Sequence, residues 1–142
     1  MVPSTLCEVS APARVLVVED NDVNAMVLIE MMKLVAARVP LRLEIDVAKT
    51  AEEARAKWPR DGVSLVLLGI NLPDGREDEV CWDMTRDAAA EERPFVVCVP
   101  ASVGQMRPEC LRSYGIDRFL SKPVRVNQLA EQVTEWHELR VI

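Results

Sequence analysis

A chain of 142 residues can build one two-sided hydrophobic core but is too short for two ordinary domains, so a catalytic unit joined to a separate effector unit is not expected. The composition is 49% hydrophobic and 28% charged, and the apolar runs fall well short of the roughly 18 residues a membrane span needs. A formal charge of -6, from 17 Lys and Arg against 23 Asp and Glu, disfavours nucleic acid and anionic lipid as partners, and no basic patch offsets it.

Met1 to Pro12 has neither the basic start with apolar block of a signal peptide nor the pattern of a transit peptide. Residues 1–12 are expected to form a flexible tail ahead of a single domain at 13–142, in a cytoplasmic protein. Arg14 to Val18 is a β-branched run that ends in the carboxylate cluster Glu19-Asp-Asn-Asp22. Asn21 or Asp22 then caps a helix. From Val23 to about Ala37, Val27, Leu28, Met31, Leu34 and Val35 recur at the spacing of a buried helical stripe. Leu41 to Val47 alternates apolar with charged residues, as in a half-covered edge strand. Thr50 and Glu53 make a capping-box pair for a helix to about Trp58, stopped by Pro59 and Gly62.

Leu65 to Leu68 is four apolar residues in a row, the mark of a strand covered on both faces. It ends at Gly69, ahead of a Pro-Asp-Gly turn. Glu77 to about Ala90 reads as helix, Phe95 to Val99 as a second fully apolar strand, and Gln105 to Ser113 as a short helix closed by Gly115. Asp117 to Leu120 is a brief fifth strand. Val126, Leu129, Val133 and Trp136 mark the buried side of a last helix. Trp58 and Trp136 are expected in the core.

The four cysteines, Cys7, Cys81, Cys98 and Cys110, lack CxxC spacing and read as reduced thiols. His137 is the single histidine and reads as a solvated helix residue, so no His/Cys metal cluster is expected.

Strict alternation of five strands and five helices with short loops predicts right-handed crossovers and an open parallel sheet with helices on both faces. The flavodoxin-like (βα)5 doubly wound fold, strand order 2-1-3-4-5, and a fragment of a Rossmann domain both fit. The second needs GxGxxG after the first strand, where this chain has Glu19-Asp-Asn-Asp-Val-Asn24. Ligands of such sheets bind beyond the carboxyl ends of the strands. In the flavodoxin-like order those ends bring together Glu19 and Asp20, Gly69 and Asn71, Pro100 and Ala101, and Lys122. Adjacent carboxylates suit Mg²⁺, and a lysine opposite them suits a phosphoryl oxygen. An acyl-phosphate site also needs an Asp nucleophile and a hydroxyl, and neither stands at these positions.

Val15-Leu-Val-Val-Glu-Asp-Asn21, Leu65-Val-Leu-Leu-Gly-Ile-Asn-Leu-Pro-Asp-Gly75 and Phe119-Leu-Ser-Lys-Pro123 together resemble the receiver domains of two-component response regulators. The Glu-Asp-Asn start with Asn24 is most similar to receivers of hybrid histidine kinases, and the resemblance covers roughly Arg14 to Leu139. It implies that Glu19 and Asp20 match the metal-binding acidic pair, Lys122 the phosphate-contacting lysine, and Asn71 the position whose carbonyl completes the metal shell. It places Gly69 at the phosphoacceptor aspartate, Pro100 at the switch Thr or Ser, and Phe119 at the switch aromatic. It also implies a cis Lys122-Pro123 bond.

Two departures, at Gly69 and Pro100, remove the acceptor and the hydroxyl. The chain therefore looks like a pseudo-receiver: no enzyme, phosphorylation-independent, working by protein-protein contact with a histidine kinase, a hybrid kinase or another signalling protein, or as a homodimer. No cofactor is expected. With no third carboxylate, Mg²⁺ at Glu19 and Asp20 is expected to be weak, and the favoured reading of the pair is a solvated acidic turn that caps the first helix and pairs with Lys122. Asp74, a displaced candidate acceptor, reads as a turn residue. Trp82, half-exposed among Glu79, Asp83 and Arg86, is an interface candidate. The resemblance adds Met106, Leu111 and Phe119 on the face of the fourth helix, fifth strand and last helix. The alternative function is a small-ligand or nucleotide-binding regulatory domain that uses the vacated pocket.

Overall fold

The computed structural model describes residues 13–38, 42–69, 94–99, 116–120 and 124–140. Five strands form one parallel sheet in the order β2-β1-β3-β4-β5: β1 Ala13–Val18, β2 Leu43–Ala48, β3 Leu65–Gly69, β4 Phe95–Val99 and β5 Arg118–Phe119. Three helices are described: α1 Asp22–Arg38, α2 Ala51–Asp61 and α3 Val126–Arg140. The expected helices at Glu77 to Ala90 and Gln105 to Ser113 lie outside the described residues, as does the tail at 1–12.

Alternation along the strands sorts the core into two layers. Leu16, Val18, Val66, Leu68, Val96 and Cys98 pack with Ala51, Ala54 and the half-buried Trp58 of α2. Val15, Val17, Leu65, Leu67 and Val97 pack with Leu28, Met32 and Val35 of α1 and Leu129, Val133 and Trp136 of α3. β3 has strands on both sides and core on both faces, so all five of its residues are buried. Each buried Leu or Val contributes about 1.5–3 kcal/mol relative to exposure, which makes this run the energetic centre of the sheet. β2 lies at the edge and is half covered, with Glu44 and Asp46 exposed.

The helix ends follow local chemistry. Asn21 caps α1, its Oδ1 accepting the Asn24 N–H at 2.9 Å. Thr50 caps α2: its Oγ1 accepts the Glu53 N–H at 3.0 Å, and Glu53 Oε1 accepts the Lys49 N–H at 2.7 Å, completing the expected capping box. α2 runs past Pro59 to Asp61, further than expected. Gly62, at φ 67°, stops it in the left-handed conformation that glycine adopts without steric cost, and the Gly62 and Val63 N–H groups both bond the Trp58 carbonyl. A proline near the end removes one helical donor, and the two bonds to Trp58 close the end instead.

Three other expectations need correction. On α1 the buried line is Ala25, Leu28, Met32 and Val35, while Val27 and Leu34 are 46% and 55% exposed. Two overlapping apolar arcs exist on this helix, and docking on the sheet selects one. β2 extends to Ala48, because its Ala48 carbonyl still accepts the Glu19 N–H at 2.9 Å. His137 is half-buried, with its Nδ1 covered and lacking a hydrogen-bond partner among the described residues.

Candidate functional site

The register aligns the carboxyl ends of the central strands. Val18 lies opposite Ala48 on one side and Leu68 on the other, and Gly69 lies opposite Val99. The residues after β1 and β2 and the last residue of β3 therefore share one rim, where such sheets bind ligands. Glu19 and Gly69 meet there. Pro100 follows directly on Val99, but Asn71, Pro100, Ala101 and Lys122 lie outside the described residues. So do Asp74, Trp82, Met106 and Leu111, and of Phe119 only the backbone, in β5, is described.

Glu19 is 5% exposed, the one charged residue buried among those described. Its Oε2 accepts the Asn21 N–H at 3.1 Å, which fastens the turn between β1 and α1. A carboxylate out of water is costly unless hydrogen-bonded, and this bond offsets part of that cost. The other carboxylate oxygen lies over Gly69. An ideal Cβ on Gly69 would stand 2.8 Å from Glu19 Oε1, 2.9 Å from the Val18 carbonyl oxygen and 3.5 Å from Glu19 Cδ. The first two are closer than carbon and oxygen pack, so a side chain at 69 would need the Glu19 carboxylate and the Val18 carbonyl to shift.

Asp20 is exposed. Asp22 forms an ion pair at 2.8 Å with Lys49, the first residue after β2. The hydrogen bond to Asp22, then its charge, raises the Lys49 pKa. Lys49 was not singled out in the sequence, although its place at a strand end was the available signal. The acidic turn thus splits into three roles: Glu19 turned inward, Asn21 capping α1, and Asp22 paired outward to Lys49. The solvated turn expected of Glu19 and Asp20 is met by the exposed Asp20 but not by the buried Glu19, and its expected partner Lys122 lies outside the described residues.

Glu19 is committed to Asn21 and to the space over Gly69, no carboxylate comes from residue 69, and no group of three or more His, Cys, Asp or Glu suited to a metal occurs among the described residues. No helix among the described residues is long and apolar enough to cross a membrane.

The sequence matches the response regulator receiver domain family over residues 15–134. The chain belongs to this family. The receiver is 30% identical over 122 residues to the aerobic respiration control sensor protein ArcB of Escherichia coli K12, covering 86% of this chain and 15% of ArcB. It is 29% identical to the response regulator mcs4 of Schizosaccharomyces pombe, covering 94% of this chain and 29% of mcs4. It therefore spans less than a third of either relative's length. Among solved structures, it is similar to the receiver domain of Saccharomyces cerevisiae Ssk1, solved with the histidine phosphotransfer protein Ypd1, with TM-score 0.74, 24% identity and 92% coverage of both chains. The receiver domain of a sensor histidine kinase of Pseudomonas aeruginosa PAO1, which holds magnesium in its active-site cleft, gives TM-score 0.74 and 22% identity, covering 89% of this chain and 98% of that one. The receiver is a module of two-component signalling with the flavodoxin-like fold.

Proposed function

We propose that this receiver is a pseudo-receiver: a non-catalytic, phosphorylation-independent module of two-component signalling that acts through protein contact. The observation that carries this reading is Gly69 at the end of the central strand, with the Glu19 carboxylate lying over it. An acyl phosphate forms by attack of a carboxylate oxygen on the phosphorus of a donor, and position 69 offers no such oxygen. The nearest carboxylate among the described residues, Glu19, is buried and bonded to the chain. Mg²⁺ plays no resident part in this reading.

The partner is a histidine kinase or histidine phosphotransfer protein in the cytoplasm. ArcB is a sensor protein, and the Ssk1 receiver was solved with Ypd1. The surface offered to the partner is the exposed apolar line of α1, Val23, Met26, Val27 and Leu34, which starts beside the acidic rim.

Incubation with a small phosphodonor and Mg²⁺ tests the reading by intact mass. The mass is expected to stay unchanged, and a stoichiometric phosphoryl adduct would overturn the proposal.

A further inference from the structure

We infer that the outer edge of β2 is a pairing site for β2 of a second copy of this chain, held shut by a plug of Asp46, Glu53 and Lys57. The closure stands apart from the chemistry at residue 69 and does not rest on the proposed function.

β2 is the end strand of the sheet, with β1 on one side only. The Ala13 and Glu19 N–H groups bond the Arg42 and Ala48 carbonyls at 2.9 Å, so the even-numbered residues of β2 turn their backbone groups toward β1 in this parallel ladder. Leu43, Ile45 and Val47 therefore turn theirs outward. Such a row is a template for another strand. At Val47 both groups are taken, the N–H by Asp46 Oδ1 and the carbonyl by Lys57 Nζ, each at 2.8 Å. Lys57 Nζ also meets Asp46 Oδ2 at 3.2 Å and Glu53 Oε2 at 3.1 Å, so its three donors have three acceptors. Its side chain is 20% exposed, against 58% for Lys49 in the pair with Asp22. A covered lysine with three acceptors holds its place better than one in a single exposed pair.

A two-fold axis normal to the sheet would join two β2 strands as an antiparallel pair, and three placements of it use the middle of the strand. Centred on Glu44, the pair needs only the outward groups of Leu43 and Ile45, but it sets Glu44 against its own copy, with Cα atoms about 4.5 Å apart, and the like charges repel. Centred on Asp46, it opposes Asp46 to itself and also draws on Val47. Centred on Ile45, it sets Ile45 against itself and Leu43 against Val47, which continues the apolar layer of both chains. That register needs the outward groups of Val47 from each copy, and the plug occupies them. It also sets Glu44 opposite Asp46 of the copy. Asp46 thus bars the apolar register twice, through the bond it takes and the charge it carries. Glu44 keeps Arg14 at 3.1 Å to balance it once Asp46 is gone.

Sedimentation of the full chain over a concentration series tests this with the double variant Asp46→Thr, Lys57→Met, which removes the plug with residues suited to a strand and a helix. The variant's weight-average mass is expected to approach twice that of the wild type. Ile45 amide exchange in the variant is expected to slow on the order of tenfold from dilute to concentrated samples. A mass equal to that of the wild type, or a larger mass with Ile45 exchange unchanged, would overturn the proposal. In the wild type, the Val47 N–H is expected to exchange on the order of tenfold more slowly than the Ile45 N–H, because the bond to Asp46 protects it. Equal rates would show that the plug stands open in solution and would overturn the proposal even if the double variant does not fold.

Discussion

Glu53 does three jobs within one turn of α2. Its N–H bonds Thr50 Oγ1, its Oε1 accepts from the Lys49 N–H, and its Oε2 pairs with Lys57 at 3.1 Å. The backbone bond from Lys49 lowers its pKa, assisted by Lys57 and opposed by burial. Burial works against the charged form of Lys57 too, but the bonds it donates to Glu53 and Asp46 outweigh it and the Lys57 pKa is raised. A carboxylate with a depressed folded pKa contributes stability that is present above the unfolded value, about 4, and lost as pH falls through the folded value. The gap in urea midpoint between wild type and Glu53→Gln is therefore expected to be widest near neutral pH and to close on acidification. A gap constant with pH would show that the charge contributes nothing. The four-residue spacing made the Thr50–Glu53 pair legible in the sequence. The burial of Glu19 was not, because a Glu-Asp-Asn-Asp run reads as solvated until its neighbour across the sheet is known.

Among the elements, α1 and β2 carry the less expected features. α1 is apolar on two sides, and the sheet buries only Ala25, Leu28, Met32 and Val35. Val23 and Met26 remain 66% and 60% exposed. Because such side chains add little to folding, Met26→Glu and Leu34→Glu are expected to shift stability by only about 0.5 kcal/mol. Binding to the cognate histidine kinase or phosphotransfer protein, titrated calorimetrically, is expected to weaken tenfold or more. Unchanged affinity would move the docking surface elsewhere on the domain. β2 ends the sheet, and edge strands invite pairing with other chains. At Val47 the local backbone is answered by side chains: Asp46 Oδ1 accepts the Val47 N–H at 2.8 Å, and Lys57 Nζ donates to the Val47 carbonyl at 2.8 Å. The alternation from Leu41 to Val47 had marked this strand as an edge, but Lys57 lies ten residues further on in a different element.

At the scale of the whole molecule, α1 and α3 close one face of the sheet together. Arg38 Nη1 donates to Asn127 Oδ1 at 3.0 Å across their junction, and Trp136 is buried in the same layer as Met32 and Val35. Arg118 of β5 pairs with Glu135 of α3 and lies over the Phe95 ring, and Asp117, just before β5, accepts the Val96 N–H on Oδ2 at 2.8 Å. Trp136→Ala is expected to cost about 3–5 kcal/mol, the range for deleting a large core aromatic. Denaturant unfolding measures this directly, and a loss under 1 kcal/mol would mean that α3 packs independently of that ring. The strands and their order followed from the sequence, since short apolar runs separated by helical patterns admit few topologies. The missing carboxylate at 69 and the acidic pair at Glu19 and Asp20 were equally plain, being matters of residue identity. Which carboxylate lies over Gly69, and which side of α1 stays outside, were settled only by tertiary structure. Both depend on contacts between residues far apart in the chain, Glu19 with Gly69 and α1 with the sheet, at separations where a few tenths of an ångström decide whether an atom fits.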